Sequence, residues 1–269
     1  MLRCNNFCSL LRSRILITKL VLWSIELDQA IRTTAELTRL KSNFLANVTH
    51  ELRTPLNAII NYIGFVVDED TGPLNEEQSI YLSQALENSE NLLQIINNIL
   101  DMSKIEAGQM KLNIRPVNLT EVATELIPLI NMMLENKSVR LITEIAPELP
   151  LLCGDRLRIR QIMLNILSNA AKFTHAGLIH LKLYSNNGNI IIQVTDTGVG
   201  ITQEVLPTIF EQFISADLTD QGQYFGPGLS MPITKTLVEL HQGKVEVESQ
   251  ETRGTTFTVT LPLNHYEEC

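Results

Sequence analysis

Asn165, Asn169 and Lys172 stand at i, i+4 and i+7, within about 60° of one another on a helix. Met163, Leu164, Ile166, Leu167 and Ala170 take the opposite side, so a polar row backs onto an apolar one. Side-chain amide carbonyls are hard oxygen donors that suit Mg2+, an ion that takes few protein ligands and otherwise binds substrate phosphates. A lysine on the same face adds a point charge for those phosphates. A second pair of chemical interest is His50-Glu51, an imidazole beside a carboxylate. Around it Leu45, Val48, Leu52, Leu56 and Ile59 recur at three- and four-residue steps, the signature of an amphipathic helix. His50 lies about 200° from Val48 and from Leu52, which turns its ring away from that stripe. The pattern predicts an outward histidine available for chemistry.

These segments carry a family resemblance. His50-Glu51-Leu52-Arg53-Thr54-Pro55-Leu56-Asn57 resembles the phosphoacceptor box of the sensor histidine kinases of two-component systems. Asn165 to Thr174 is similar to their N box, and Asp196-Thr197-Gly198-Val199-Gly200 to their first glycine box. Ile209 to Phe213 resembles the F box, Gly226 to Pro232 the second glycine box, and Arg253 to Phe257 the last glycine element. Each motif alone is weak, since many turns read Asp-x-Gly-x-Gly. The ordered set, from about Leu37 to Leu263, is specific.

The resemblance implies an enzyme that uses ATP to phosphorylate His50 and then passes the phosphoryl group to an aspartate on the receiver domain of a response regulator. It implies Glu51 as proton acceptor; Thr54, one turn on, reads either as a residue that orients water for dephosphorylation or as a solvated helix residue. Asn165 and Asn169 are expected to hold Mg2+, and Lys172 to meet phosphate. Asp196 is expected to accept a hydrogen bond from the adenine amino group, with Gly198 and Gly200 letting backbone approach the base. Phe210, Gly226, Gly228 and Leu229 complete the implied ATP site, Phe210 by packing in a lid that runs from about Glu211 to Phe225. One departure stands out. Relatives usually read Gly-Thr-Gly-Leu-Gly-Leu where this chain has Gly226-Pro227-Gly228-Leu229-Ser230-Met231. Ser230 is expected to cap the next helix, and a glycine there to free the loop. A catalytically weak, nucleotide-binding dimeric scaffold of the same fold is the alternative.

Helical text runs from about Glu26 to Val67 and breaks at Thr71-Gly72-Pro73. Asn75 with Gln78 reads as a capping box. The following helix repeats Leu82, Leu86, Ser89, Leu93, Ile96, Leu100 and Ser103 at four- and three-residue steps, a heptad seam widened by Leu92, Ile95 and Ile99. So broad a stripe predicts a homodimer in which two antiparallel helical hairpins form a four-helix bundle. Beyond Gly108 the text becomes mixed. Asn118 and Asp155 open helices, the second running through Ala171. Val139–Ile145, Leu178–Tyr184, Ile190–Thr195, Lys244–Glu248 and Thr255–Leu261 read as strands, with a helix over Ser230–Leu240. The expected fold is an α/β sandwich with helices on one face of a sheet. The expected domains are a helical lead-in over 1–36, a dimerisation and phosphoacceptor domain over 37–107, and an ATP-binding domain of the GHKL type (shared with chaperones and topoisomerases) over 113–264.

Composition narrows the classes. Of 269 residues 44% are hydrophobic and 19% charged, an ordinary globular balance. The net charge of −9 argues against a nucleic-acid partner, which needs a basic face. Cys4, Cys8, Cys153 and Cys269 lack a metal-finger or disulfide-framework pattern; Cys4 and Cys8 read as two incidental reduced thiols, and a cytoplasmic setting fits. Phe7 to Ile25 is apolar but interrupted by Arg12, Arg14 and Lys19, short of what a membrane span needs. Membrane contact is therefore not evident. His175, His180, His241 and His265 have no motif context and read as structural or surface residues.

Overall fold

The computed structural model describes residues 2–68, 72–211 and 228–263; the side chains of His50 and of most residues before Leu37 lie outside the description. The chain divides into two compact units, Met1–Gln109 and Met110–Cys269.

The first unit is a helical hairpin. Helix α1 runs Leu2–Val67 through Pro55, and α2 runs Glu76–Glu106. Asn75 starts α2 with the expected capping box: its side chain accepts from the Gln78 N–H, and the Gln78 side chain accepts from the Asn75 N–H. Reciprocal caps of this kind satisfy two otherwise orphaned donors, worth about 1 kcal/mol. The antiparallel register is marked by Lys41 Nζ on Glu106 at 3.0 Å and by Arg53 Nη2, which donates to Asn97 Oδ1 at 2.6 Å. Leu56 and Ile96 are buried between the helices, and so are Ser42, Thr49, Asn98, Asp101 and Ser103. The apolar stripe is only partly used within the hairpin. Leu52 and Ile59 stay about half exposed at 47% and 48%, and Leu37, Leu40 and Phe44 exceed 60%.

The second unit is a two-layer α/β sandwich. Its elements are β1 (Arg115–Val117), α3 (Leu119–Leu134), β2 (Ser138–Ile145), β3 (Leu152–Gly154), α4 (Arg156–Phe173), β4 (Ala176–Asn186), β5 (Asn189–Asp196), α5 (Ser230–Leu240), β6 (Lys244–Gln250) and β7 (Gly254–Pro262). Five strands form one sheet in the order β2-β4-β5-β7-β6, with β2 parallel to β4 and the other pairs antiparallel. Strand alternation explains the layering: Ile179, Leu181, Leu183, Ile190, Ile192, Val194, Val259 and Leu261 are buried. The intervening Gln193, Thr256, Thr258 and Thr260 stay half exposed on the other face. The three helices supply the matching apolar stripes, with Leu119, Leu126, Ile130, Ile159, Ile162, Ile166, Leu237 and Val238 at 1% exposure or less.

Local signals decide where the helices begin. Asn118 caps α3 through the Thr120 N–H, and Asp155 caps α4 through the Leu157 and Arg158 N–H groups. Two short strands, β1 and β3, pair apart from the main sheet; at three residues each they are too brief to show alternation. Cys153 in β3 is disulfide-bonded, although the spacing of the four cysteines shows no disulfide framework. Its partner is not among the described side chains, and spacing along the chain carries no information about such proximity. No described helix is long and apolar enough to cross a membrane.

Candidate nucleotide site and phosphoacceptor helix

Helix α4 carries the amide row. Asn165 is 4% exposed. Its Nδ2 donates to Thr234 Oγ1 at 3.0 Å and to the Ser230 carbonyl at 3.3 Å, both on α5. With the nitrogen committed in this way, Oδ1 is the atom left to accept, and it takes no hydrogen bond among the described residues. Asn169, one turn on and half-buried, makes no side-chain hydrogen bond among them either. A carboxamide oxygen without a protein donor is a donor set that fits a hard cation such as Mg2+. Lys172 follows on the same face, its ammonium 5.7 Å from the Phe173 ring centre, and burial lowers its pKa from the usual lysine value.

Asp196 ends β5 with 6% exposure. Its Oδ1 accepts from the Gly198 N–H at 2.8 Å. Burial pushes its carboxyl above the ordinary carboxylate value, and the backbone N–H groups of Gly198 and Thr255 partly offset this. Two glycines are required here. A Cβ at Gly198 would press on the Phe173 carbonyl and lie 2.9 Å from Asp196 Oδ1, while Gly200 has φ +71 against the Gln250 carbonyl. The loop is tied down on both sides: the Val199 N–H donates to the Phe173 carbonyl at 3.2 Å and the Thr252 N–H to the Val199 carbonyl at 2.7 Å. Behind Asp196, Ser249 Oγ accepts from the Ile201 N–H at 2.8 Å and contacts Thr255 Oγ1 at 2.9 Å.

The glycine box before α5 is described from Gly228 onward. Gly226 and Pro227, Phe213, and the proposed lid beyond Glu211 lie outside the described residues. Gly228 has φ +63 and Leu229 is 1% exposed. The N-cap of α5 is Leu229, with no side-chain cap; Ser230 is the first helical residue. This corrects the expected Ser230 cap. The Ser230 carbonyl is engaged by Thr234 Oγ1 at 2.8 Å and by Asn165, so the start of α5 is held by side chains from within. Phe210 lies with its ring centre 5.9 Å from Lys235 Nζ on α5.

Sequence reasoning missed Thr234, Thr255 and Ser249. Thr234 is 0% exposed and bonds both Asn165 and its own helix, yet a single threonine on an apolar helix face carries no motif. Of the histidines, His241 is 8% exposed at the end of α5 and holds the Asp155 N–H at 3.0 Å, a structural role as expected. Burial holds its pKa below the usual imidazole value, against the opposing pull of the Leu237 carbonyl and the Asp155 charge.

In the hairpin unit, His50 sits on α1 between buried Thr49 and exposed Glu51; the placement of its ring lies outside the described side chains. Thr54 and Pro55 are exposed and Arg53 is bound to Asn97. Among the described residues, no cluster of three or more His, Cys, Asp or Glu is placed to hold a metal.

A helical hairpin bearing a His-Glu pair, followed by a one-sided α/β sandwich with an amide row beside an aspartate-glycine loop, defines a phosphoacceptor domain joined to a nucleotide-binding domain. The comparisons agree. Residues 40–108 match the His Kinase A (phospho-acceptor) domain, and residues 154–265 the histidine kinase-, DNA gyrase B-, and HSP90-like ATPase family. The chain is 37% identical over 88% of its length to the circadian input-output histidine kinase CikA of Synechococcus elongatus, spanning 32% of that protein. It is 37% identical over 89% of its length to the sensor protein GacS of Pseudomonas syringae pv. syringae, spanning 27% of it. Among solved structures, full-length ShkA in complex with AMPPNP is similar at TM-score 0.66 and 29% identity, covering 81% of this chain and 45% of that one. Acinetobacter baumannii AdeS, at TM-score 0.56 and 20% identity over 80% of this chain and 98% of that one, shares the fold. The chain belongs to the sensor histidine kinases, corresponds to their catalytic core, and spans about a third or less of the curated relatives named here. Its ATPase-type domain makes it an ATP-binding protein.

Proposed function

We propose that this chain is an ATP-dependent protein-histidine kinase that phosphorylates His50 and transfers the phosphoryl group to a receiver-domain aspartate. The observation that carries it is Asn165, whose amide nitrogen is bound to Thr234 and Ser230 while its oxygen takes no hydrogen bond among the described residues, on the face shared with Asn169 and Lys172. That face, next to the Asp196 loop, supports ATP with its adenine at Asp196, Gly198 and Gly200 and its phosphates towards Lys172, Gly226, Gly228 and Leu229. Phe210 packs beside them. Asn165 and Asn169 would hold Mg2+, which supplies charge neutralisation at the phosphates.

Phosphoryl transfer asks the protein mainly for positioning. The step needs a neutral imidazole, so that a ring nitrogen of His50 offers its lone pair to the γ-phosphorus. The new N–P bond replaces the bond to the β,γ-bridging oxygen, ADP leaves, and Glu51 takes the ring proton. Thr54 would orient water when the regulator is dephosphorylated. The exposed stripe of Leu37, Leu40 and Phe44 supports a homodimer that closes a four-helix bundle. Domains of 37–107 and 113–264, with 1–36 as a helical lead-in, fit this reading, and dependence on ATP supports a cytoplasmic setting.

Incubation with γ-labelled ATP tests it. The parent should carry acid-labile, base-stable label, and His50→Gln should carry none while binding nucleotide within about threefold of the parent, since no nucleotide-site motif lies near His50 in sequence. ATP hydrolysis without protein label would indicate an ATPase of the same fold. Label that persists in His50→Gln would refute the assignment.

A further inference from the structure

Helix α4 ends at Phe173, and the last four carbonyls of a helix have no partner within it other than the capping residues that follow. All four are accounted for here. The Ala170 carbonyl accepts from the Thr174 N–H at 3.1 Å and the Phe173 carbonyl from the Val199 N–H at 3.2 Å. The two between them, Ala171 and Lys172, accept from Lys137 Nζ at 2.6 and 3.3 Å. Lys137 comes from the turn between α3 and β2, where its own N–H donates to the Leu134 carbonyl at 2.9 Å. Burial lowers its pKa from the usual lysine value, although its ammonium has no described carboxylate partner. The charge is spent on the negative end of α4 instead, where a cation is favoured.

We propose that Lys137 is a positioning residue for nucleotide, holding the carbonyl end of α4 so that Asn169, Lys172 and the Val199 turn keep one mutual geometry. The inference rests on the reading of the α4 face as the ATP site. Two physical effects follow from the contact. An ammonium with three donors can bridge the adjacent Ala171 and Lys172 carbonyls, which keeps Lys172 from fraying out of the last turn. It also offsets the partial negative charge that would otherwise face an incoming polyphosphate at this end of the helix. The Phe173 carbonyl ties the same turn to the glycine loop beside Asp196, so slack at Ala171 and Lys172 would be felt by both halves of the site.

The test uses the full chain with Lys137→Met, which keeps the alkyl stem, and Lys137→Arg, which keeps the charge and donors. Binding of a fluorescent trinitrophenyl-ATP and its displacement by ADP are read first, because neither needs catalysis. Lys137→Met should bind about tenfold more weakly, the scale of losing hydrogen bonds to a charged group, and Lys137→Arg within about threefold of the parent. Labelling with γ-labelled ATP should then show the Met variant with a raised KM for ATP and a kcat within about twofold. Amide exchange should speed up at Thr174 and Val199 and stay unchanged in the β5–β7 ladder. Parent affinity in Lys137→Met would overturn the proposal. So would a lowered kcat at unchanged KM with no rescue by arginine, which marks a fold defect alone. A parent that binds the probe but never labels sinks the kinase reading and leaves the binding test of Lys137 intact.

Discussion

Asn165 and Thr234 are joined by a 3.0 Å hydrogen bond between two buried side chains on neighbouring helices. Thr234 Oγ1 accepts from the Asn165 amide and donates to the Ser230 carbonyl at 2.8 Å, so one hydroxyl links the amide row to the first turn of α5. Thr234→Val keeps the shape and removes both bonds. The α/β unit should lose about 2 kcal/mol, the usual net worth of two such bonds. Nucleotide affinity should fall several-fold, because Asn165 loses the partner that orients its oxygen. Chemical denaturation and a nucleotide titration check the two effects; an unchanged affinity would show that Ser230 alone orients the amide.

Ser230 lies past the left-handed turn of the loop. It is the first helical residue of α5, and the positive φ of the loop falls on Gly228 at +63. Ser230→Gly should leave the labelling rate within about twofold and lower stability by less than about 1 kcal/mol, the cost of glycine in a helix. Gly228→Ala should be the damaging change, since an L-residue in the left-handed region costs about 1–2 kcal/mol. A faster Ser230→Gly enzyme would reverse this ranking.

Leu37, Leu40 and Phe44 leave 62%, 64% and 66% of their surfaces exposed on the hairpin unit. Placed at three- and four-residue steps, they form one stripe that a second copy can cover. Phe44→Glu should therefore shift the chain from dimer to monomer in sedimentation at micromolar concentration while leaving trinitrophenyl-ATP binding intact. A parent that is monomeric and fully active would refute the bundle.

The buried His241 makes a pH prediction. Its Nε2 accepts the Asp155 N–H at 3.0 Å and Nδ1 lies 2.7 Å from the Leu237 carbonyl, an arrangement that the neutral ring with its proton on Nδ1 satisfies. The folded pKa is lowered from 6.5, so the unfolded chain binds the proton more readily. Its contribution is therefore full above about pH 6.5 and is lost as pH falls from there towards the folded pKa. Denaturation between about pH 7.5 and 5.5 should show the parent losing stability more steeply than His241→Gln. Parallel curves would remove His241 as the cause.

Much of this protein was legible in the amino-acid sequence because its signals are local. Period-3.6 and period-2 patterns located the long helices and the sheet strands, and Asn75, Asn118 and Asp155 announced helix starts with side chains that reach only two or three residues ahead. The ordered motifs likewise named the residues that share one face of α4 and the aspartate-glycine loop after β5. Tertiary structure decided what depends on segments far apart in the chain. The Asn165–Thr234, Lys137–Ala171 and Asp155–His241 bonds span 69, 34 and 86 residues, and the parallel pairing of β2 with β4 and the three-residue β1–β3 ladder have no local pattern. Ser230 shows the difference at one position. Its residue type fits a cap, but the chain path into α5 gives that place to Leu229 and leaves the Ser230 carbonyl to Thr234 and Asn165. A buried polar group takes whichever partner the packing brings within about 3 Å, and packing is a property of the whole fold.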